Sequence, residues 1–155
     1  MSMHHKWFRV IHRGRLAFLR ERFGGLEVEP RLLPLLCRLH DEEGLRQEDL
    51  RAESGLDKTT VAHAVKRLVQ LGYVSRKRSP ADGRSYSLAL TDKAKALVPS
   101  VIDAISEWET GLTSDFSVDE LRTVENYLRR MAANAETSLH TSEPTADERR
   151  GSRPR

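Results

Sequence analysis

A chain of 155 residues with 32% charged side chains and a mean hydropathy of −0.57 suits one globular domain whose core needs neither disulfide nor structural metal. No apolar run approaches the roughly 20 residues that cross a bilayer, no secretory leader is visible, and the one cysteine, Cys37, has no internal partner for a disulfide. The expectation is a protein of the reducing cytoplasm with no membrane partner.

The first helix is expected over about 4–23. Trp7, Phe8, Ile11, Phe18 and Leu19 share one side of a helical wheel, Arg9, Arg13 and Arg20 the other, and Gly24-Gly25 stops it. Pro30 suits the first turn of a second helix. Leu32, Leu33, Leu35, Leu36 and Leu39 cover most of that helix's circumference and predict the buried centre, with a slight kink at Pro34. A short third helix follows, Gln47 to Ser54, with Gly55 as its terminator.

Asp57 is placed to cap a fourth helix and Gly72 to end it in a left-handed turn. On a 3.6-residue period Val61, Ala64, Val65, Leu68 and Leu71 face inward. Thr59, His63, Lys66 and Gln70 form the opposite stripe, flanked by Thr60 and Arg67. Tyr73–Ser79 and Ser85–Thr91 read as two strands around a Pro-Ala-Asp-Gly-Arg loop. Thr91 caps a long helix, about 92–113, that Pro99 is expected to bend. Ser117 and Glu120 form a capping box that opens a last helix over about 118–137. Residues 138–155, poor in large apolar side chains, are expected to be a disordered polar tail. The sequence thus predicts a mainly α protein with a small β-hairpin wing, a single domain over 1–137 whose winged helix-turn-helix spans about 30–91.

Charge is concentrated in one place. Between Asp57 and Arg84 there are seven Lys and Arg residues (Lys58, Lys66, Arg67, Arg76, Lys77, Arg78, Arg84) against two acids, Asp57 and Asp82. That is a local charge of +5 in a chain of +3, so the remainder sums to about −2 and the positive field is focused on one helix and one hairpin. In a helix-turn-helix the second helix enters the major groove with its N-terminal residues on base edges. Lys58, Thr59, Thr60 and His63 hold those positions. Lys66 and Arg67, further along, suit phosphates, which position the protein without reading sequence. Arg76 and Arg78 extend the basic surface along the first strand, and Arg84 at the loop tip suits a narrow minor groove, with Asp82 bracing it.

Other signals have plainer readings. Cys37 is a small apolar core residue. His4, His5 and His12 lack the spaced cysteines or carboxylates of a metal site, so no metal and no cofactor is expected. Trp7, Phe8, Phe18 and Trp108 are weighted toward core or dimer interface rather than an effector pocket. There is no Gly-rich phosphate loop, nucleophile elbow or metal-binding helix, which argues against an enzyme. The terminal helices are amphipathic and lie outside the winged unit, so a homodimer is expected to bury their apolar faces. Two-fold symmetry then predicts a palindromic double-stranded site with half-sites roughly one turn, about 34 Å, apart. The competing reading is a winged-helix protein–protein module whose basic face binds an acidic partner and no DNA.

The segments GLRQEDL, LDKTTVAHAVKRLVQLGYVSR, the Asp82-x-Arg84 pair and LALTDKAKAL resemble the MarR (multiple-antibiotic-resistance regulator) family over about Glu29 to Met131. The resemblance implies a dimeric winged-helix transcriptional repressor or activator with the first and last two helices as its dimerisation region. It also implies Arg84 in the minor groove with Asp82 bracing it, and a small aromatic or anionic effector in the crevice between the dimerisation and DNA-binding parts. Three positions depart from the pattern: Arg46 where a Ser or Thr cap is common, Arg51 in place of a small Ala, and Ala94 in place of a frequent Gly.

Overall fold

The leucine-dense segment after Pro30 cannot present so many apolar side chains to water, and the rest of the N-terminal part wraps around it. The structure is a computed structural model that describes residues 3–54, 56–78 and 86–141, with backbone alone at 3, 4, 52–54, 136 and 138–141. In chain order the elements are α1 (Met3–Phe23), a 3-10 turn (Pro30–Leu32), α2 (Leu33–Asp41), α3 (Gln47–Ser54), α4 (Lys58–Gln70), β1 (Val74–Arg78), β2 (Tyr86–Leu90), α5 (Asp92–Leu112) and α6 (Val118–Thr141). They fall into two compact units, Met1–Leu112 and Thr113–Arg155.

In the first unit Leu33, Leu36 and Leu39 of α2 are fully buried together with Leu19 of α1, Leu50 of α3, Val61, Val65 and Leu68 of α4, Leu88 of β2, and Val98 and Val101 of α5. Every element of the unit thus contributes to the core, the 3-10 turn through Leu32 and β1 through Val74 alone. Ala94, at the position of a frequent glycine, is also fully buried. Gly14 of α1 faces Trp108 of α5: a Cβ there would meet the indole ring at 2.7 Å, so the two helices approach through a missing methyl. Phe18, one turn on, stacks against the same indole at a centroid distance of 5.7 Å.

The kink expected at Pro34 is corrected by the start of α2. Pro30 opens a 3-10 turn rather than an α-helix, and the α-helical pattern begins only at Leu33. Pro34 therefore sits in the first turn of α2, where its missing N–H has no intrahelical partner to lose. The two strands leave out Tyr73 and Thr91, while the expected ends Ser79 and Ser85 lie outside the described residues; they pair antiparallel, Val74 opposite Leu90 and Arg78 opposite Tyr86. A further strand-like link was not foreseen. The amide of Leu88 donates to Leu45 O at 2.8 Å, and Arg46 bridges Ser87, so the hairpin is fastened to the segment before α3.

Arg46 also starts α3 in an unexpected way. Its side chain offers no acceptor for the helix amides, yet Asp49, three residues on, accepts the Arg46 amide at 2.9 Å and its guanidinium Nε at 3.2 Å. This is the return half of a capping box. The amide and then the guanidinium of Arg46 hold the Asp49 carboxyl below its ordinary range. Arg51, the other departure, is half-buried.

In the second unit the capping box is complete: Glu120 Oε2 accepts the Ser117 amide at 2.8 Å, and Ser117 Oγ accepts the Glu120 amide at 3.4 Å. The helix it opens runs to Thr141, four residues into the stretch expected to be a tail; 142–155 lie outside the described residues. Of the apolar repeat of α6, Val118, Leu121, Leu128 and Met131 are exposed and Val124 is half-buried, and Trp7, Phe8 and Ile11 at the start of α1 are exposed as well. Among the described residues no helix is long and apolar enough to cross a membrane.

Candidate nucleic-acid interface

The start of α4 is set by one carboxylate. Asp57, extended at φ −68° and ψ 159°, accepts the Thr60 amide at 2.9 Å and the Thr60 hydroxyl at 2.5 Å. These bonds, the hydroxyl's first, hold the Asp57 carboxyl below its ordinary range. Gly72 takes the left-handed conformation at φ 73° and ends the helix, as the sequence predicts. Between these two stops Val61, Ala64, Val65 and Leu68 are buried, with Leu71 half-buried beside them.

The opposite stripe of α4 is exposed throughout: Lys58, Thr59, Thr60, His63, Lys66, Arg67 and Gln70. One turn of chain later Arg76, Lys77 and Arg78 of β1 are exposed as well. Strand alternation puts Arg76 and Arg78 on the same face as their partners Leu88 and Tyr86, while Lys77 lies on the other face with Ser87. The structure thus brings Lys58, Thr59, Thr60, His63, Lys66 and Arg67 onto one helix face and places Arg76 and Arg78 on the adjoining strand. Asp82 and Arg84, the wing-tip pair, lie outside the described residues. Thr60 differs from the other residues of the stripe because its hydroxyl proton is committed to Asp57.

A crevice of about 710 Å³ opens beside this face. It is lined by His12 and Leu16 of α1, by Arg31 and Leu35, and by His63, Lys66 and Arg67 of α4. Glu29 also lines it and pairs with Arg31 at 2.6 Å, leaving Lys66 and Arg67 to make the lining net positive. The family resemblance implies a crevice between the dimerisation and DNA-binding parts, but no residue pattern marks its lining, because its lining residues come from segments far apart in the chain. Of the four aromatic residues weighed as pocket-lining, Phe18 and Trp108 pack on each other and none lines the crevice. Cys37 is half-buried against the core, and burial, with Asp41 adding to it, pushes its thiol up to about 11. At neutral pH it is a protonated apolar residue.

Helices α3 and α4, consecutive in the chain and packed on each other, with a hairpin following and a cationic outer face on α4, define a winged-helix protein. The family model described as "MarR family" matches residues 29–86. The solved structure of a MarR transcriptional regulator from Methanosarcina mazei Go1 is 34% identical, covers 84% of this chain and 94% of that one, and superposes with a TM-score of 0.75. The chain belongs to the MarR family, whose members are transcription regulators and not enzymes. The HTH-type transcriptional regulator TtmR of Methylorubrum extorquens is 34% identical over 102 residues, 66% of this chain and 51% of that protein. This chain spans about half to two thirds of the length of the curated relatives it matches. A MarR family regulator from Listeria monocytogenes, solved in complex with a 26mer DNA, shares the fold at a TM-score of 0.83 with 20% identity, covering 94% of this chain and 99% of that one.

Proposed function

We propose that the chain is a sequence-specific, double-stranded DNA-binding transcription regulator of the cytoplasm, acting as a homodimeric repressor at a palindromic operator. The observation that carries this reading is the two-faced α4: its apolar side is consumed by the core, and its outer side is a continuous polar and cationic stripe with a basic strand beside it. Thr59 and His63 are the base readers, Thr60 helps through its remaining acceptor, and Lys58, Lys66, Arg67, Arg76 and Arg78 neutralise phosphates. The resemblance assigns the minor-groove contact to Arg84 and its bracing to Asp82. The Listeria regulator, a protein of the same fold solved in complex with a 26mer DNA, supports DNA as the ligand.

Dimerisation is supported by the exposed apolar stripes at the start of α1 and along α6, which a second copy would remove from water. Release by a small anionic or aromatic effector is supported by the crevice, since His63, Lys66 and Arg67 belong both to its wall and to the reading face. An anion held there competes with phosphate for the same cations, and the differential affinity is what shifts the protein off DNA.

The test is selection of duplexes from a random-sequence library, followed by fluorescence anisotropy on the selected duplex at 50 and 200 mM salt. The affinity should fall more than about tenfold between the two, because condensed counterions are released from each neutralised phosphate. No selected sequence, or an affinity indifferent to salt, overturns the proposal.

A further inference from the structure

The C-terminal end of α4 is tied down more thoroughly than a surface helix requires. The amides of Leu71, Gly72 and Tyr73 bond back to Arg67 O, Val69 O and Leu68 O at 3.0, 3.0 and 2.9 Å, which closes the last turn. The next three carbonyls in the chain then each accept a hydrogen bond from Thr91 or Lys93 at the start of α5. Lys93 Nζ donates to Leu71 O at 3.0 Å. Thr91 Oγ1 donates to Gly72 O at 2.7 Å, and the Thr91 amide donates to Tyr73 O at 3.1 Å. Thr91 Oγ1 in turn accepts the Ala94 amide at 3.3 Å and so also starts α5. Lys93 Nζ stands 4.2 Å from the centre of the Tyr73 ring, itself buried.

Lys93 is spent on this joint although it is exposed and free to extend into water. Its ammonium sits where the helix carbonyls leave partial negative charge and over the electron-rich face of an aromatic ring, two attractions that act on one cation. A lysine merely solvated on the first turn of α5 would make neither. We propose that Lys93 is a positioning residue for DNA recognition: it locks the C-terminal end of α4 to the start of α5 and thereby fixes the angle at which α4 presents Thr59, His63, Lys66 and Arg67. The inference rests on the DNA-binding reading given above. Phosphate neutralisation tolerates small rotations of α4, because the charges reach many phosphates in many poses, whereas hydrogen bonds to base edges do not. Loss of the joint should therefore cost discrimination and leave electrostatic binding in place.

The experiment compares wild type, Lys93→Met and Lys93→Arg on the library-selected duplex and on a scrambled duplex of equal length, across a salt series, with amide hydrogen exchange on the free proteins. In Lys93→Met, affinity for the selected duplex should fall by about tenfold, the scale of one hydrogen bond to a charged group, with affinity for the scrambled duplex unchanged. Lys93→Arg, which keeps a cationic donor, should restore the selectivity, and exchange in Lys93→Met should quicken at the amides of Leu71 to Tyr73 before other helices respond. A direct phosphate contact by Lys93 would weaken both duplexes and lower the salt slope by about one, which overturns the proposal. Unaltered selectivity in Lys93→Met overturns it too, whatever happens to the melting temperature. Wild-type protein with no preference between the duplexes would sink the DNA-binding reading along with this one, whereas a wild-type preference that survives in Lys93→Met sinks this one alone.

Discussion

Helices α4 and α6 are both amphipathic and both start at a side-chain cap, yet they dispose of their apolar faces in opposite ways. In α4, Val61, Val65 and Leu68 have no exposed surface. In α6, Val118 is 65% exposed, Leu128 50% and Met131 44%. A helical apolar period therefore says that a face is to be covered but not by what. For α4 the cover lies within the chain, and the remaining face is released for a ligand. For α6 the proposal is that the cover is a second copy.

The difference can be broken at either helix. Leu68→Ala on the buried side of α4 should lower stability by about 2–5 kcal/mol, through lost transfer energy and a cavity, measured by urea unfolding. Leu128→Glu together with Met131→Glu on α6 should leave helix content by circular dichroism unchanged while light scattering reports the mass of a monomer; a mass equal to that of the unsubstituted protein would remove α6 from the dimer proposal. Lys66→Ala with Arg67→Ala on the outer side of α4 should change stability by no more than about 0.5 kcal/mol. The same pair should lower the salt slope of DNA binding by about two, one for each phosphate lost.

The smallest effect concerns the caps. Asp57, Asp49 and Glu120 all have carboxyls held below their ordinary range by helix-start hydrogen bonds. Their stabilisation is present above the unfolded-state value and is lost as pH falls through the lower folded one, so unfolding midpoints should drop below about pH 4. Asp57→Asn keeps an acceptor oxygen without a titrating proton and should remove part of that acid slope, read from denaturant midpoints at successive pH values.

What could be read from the sequence was local. Asp57, Gly72, Thr91 and the Ser117–Glu120 box act on backbone groups within a few residues, and the inward face of α4 follows from a period alone. The place of Pro34 differs from its sequence expectation because the boundary of α2 depends on a preceding 3-10 turn, which leaves no periodic trace. At α3 the acceptor was sought at Arg46 and is supplied by Asp49, since either end of a capping box can anchor a helix start. The crevice walls and the Lys93 joint were illegible for a different reason. His12 and His63 come to line one crevice, and Lys93 reaches back to Leu71, only after the chain has folded.

Gly14 carries a consequence for how this molecule can change. With hydrogen as its side chain, position 14 admits the edge of the Trp108 indole into the groove of α1. An alanine Cβ there would meet the ring at 2.7 Å, so either the half-buried indole or α1 itself must give way to admit it. Substitution at position 14 is therefore tied to where the side chain at 108 can go, and the two sites vary together or not at all without repacking.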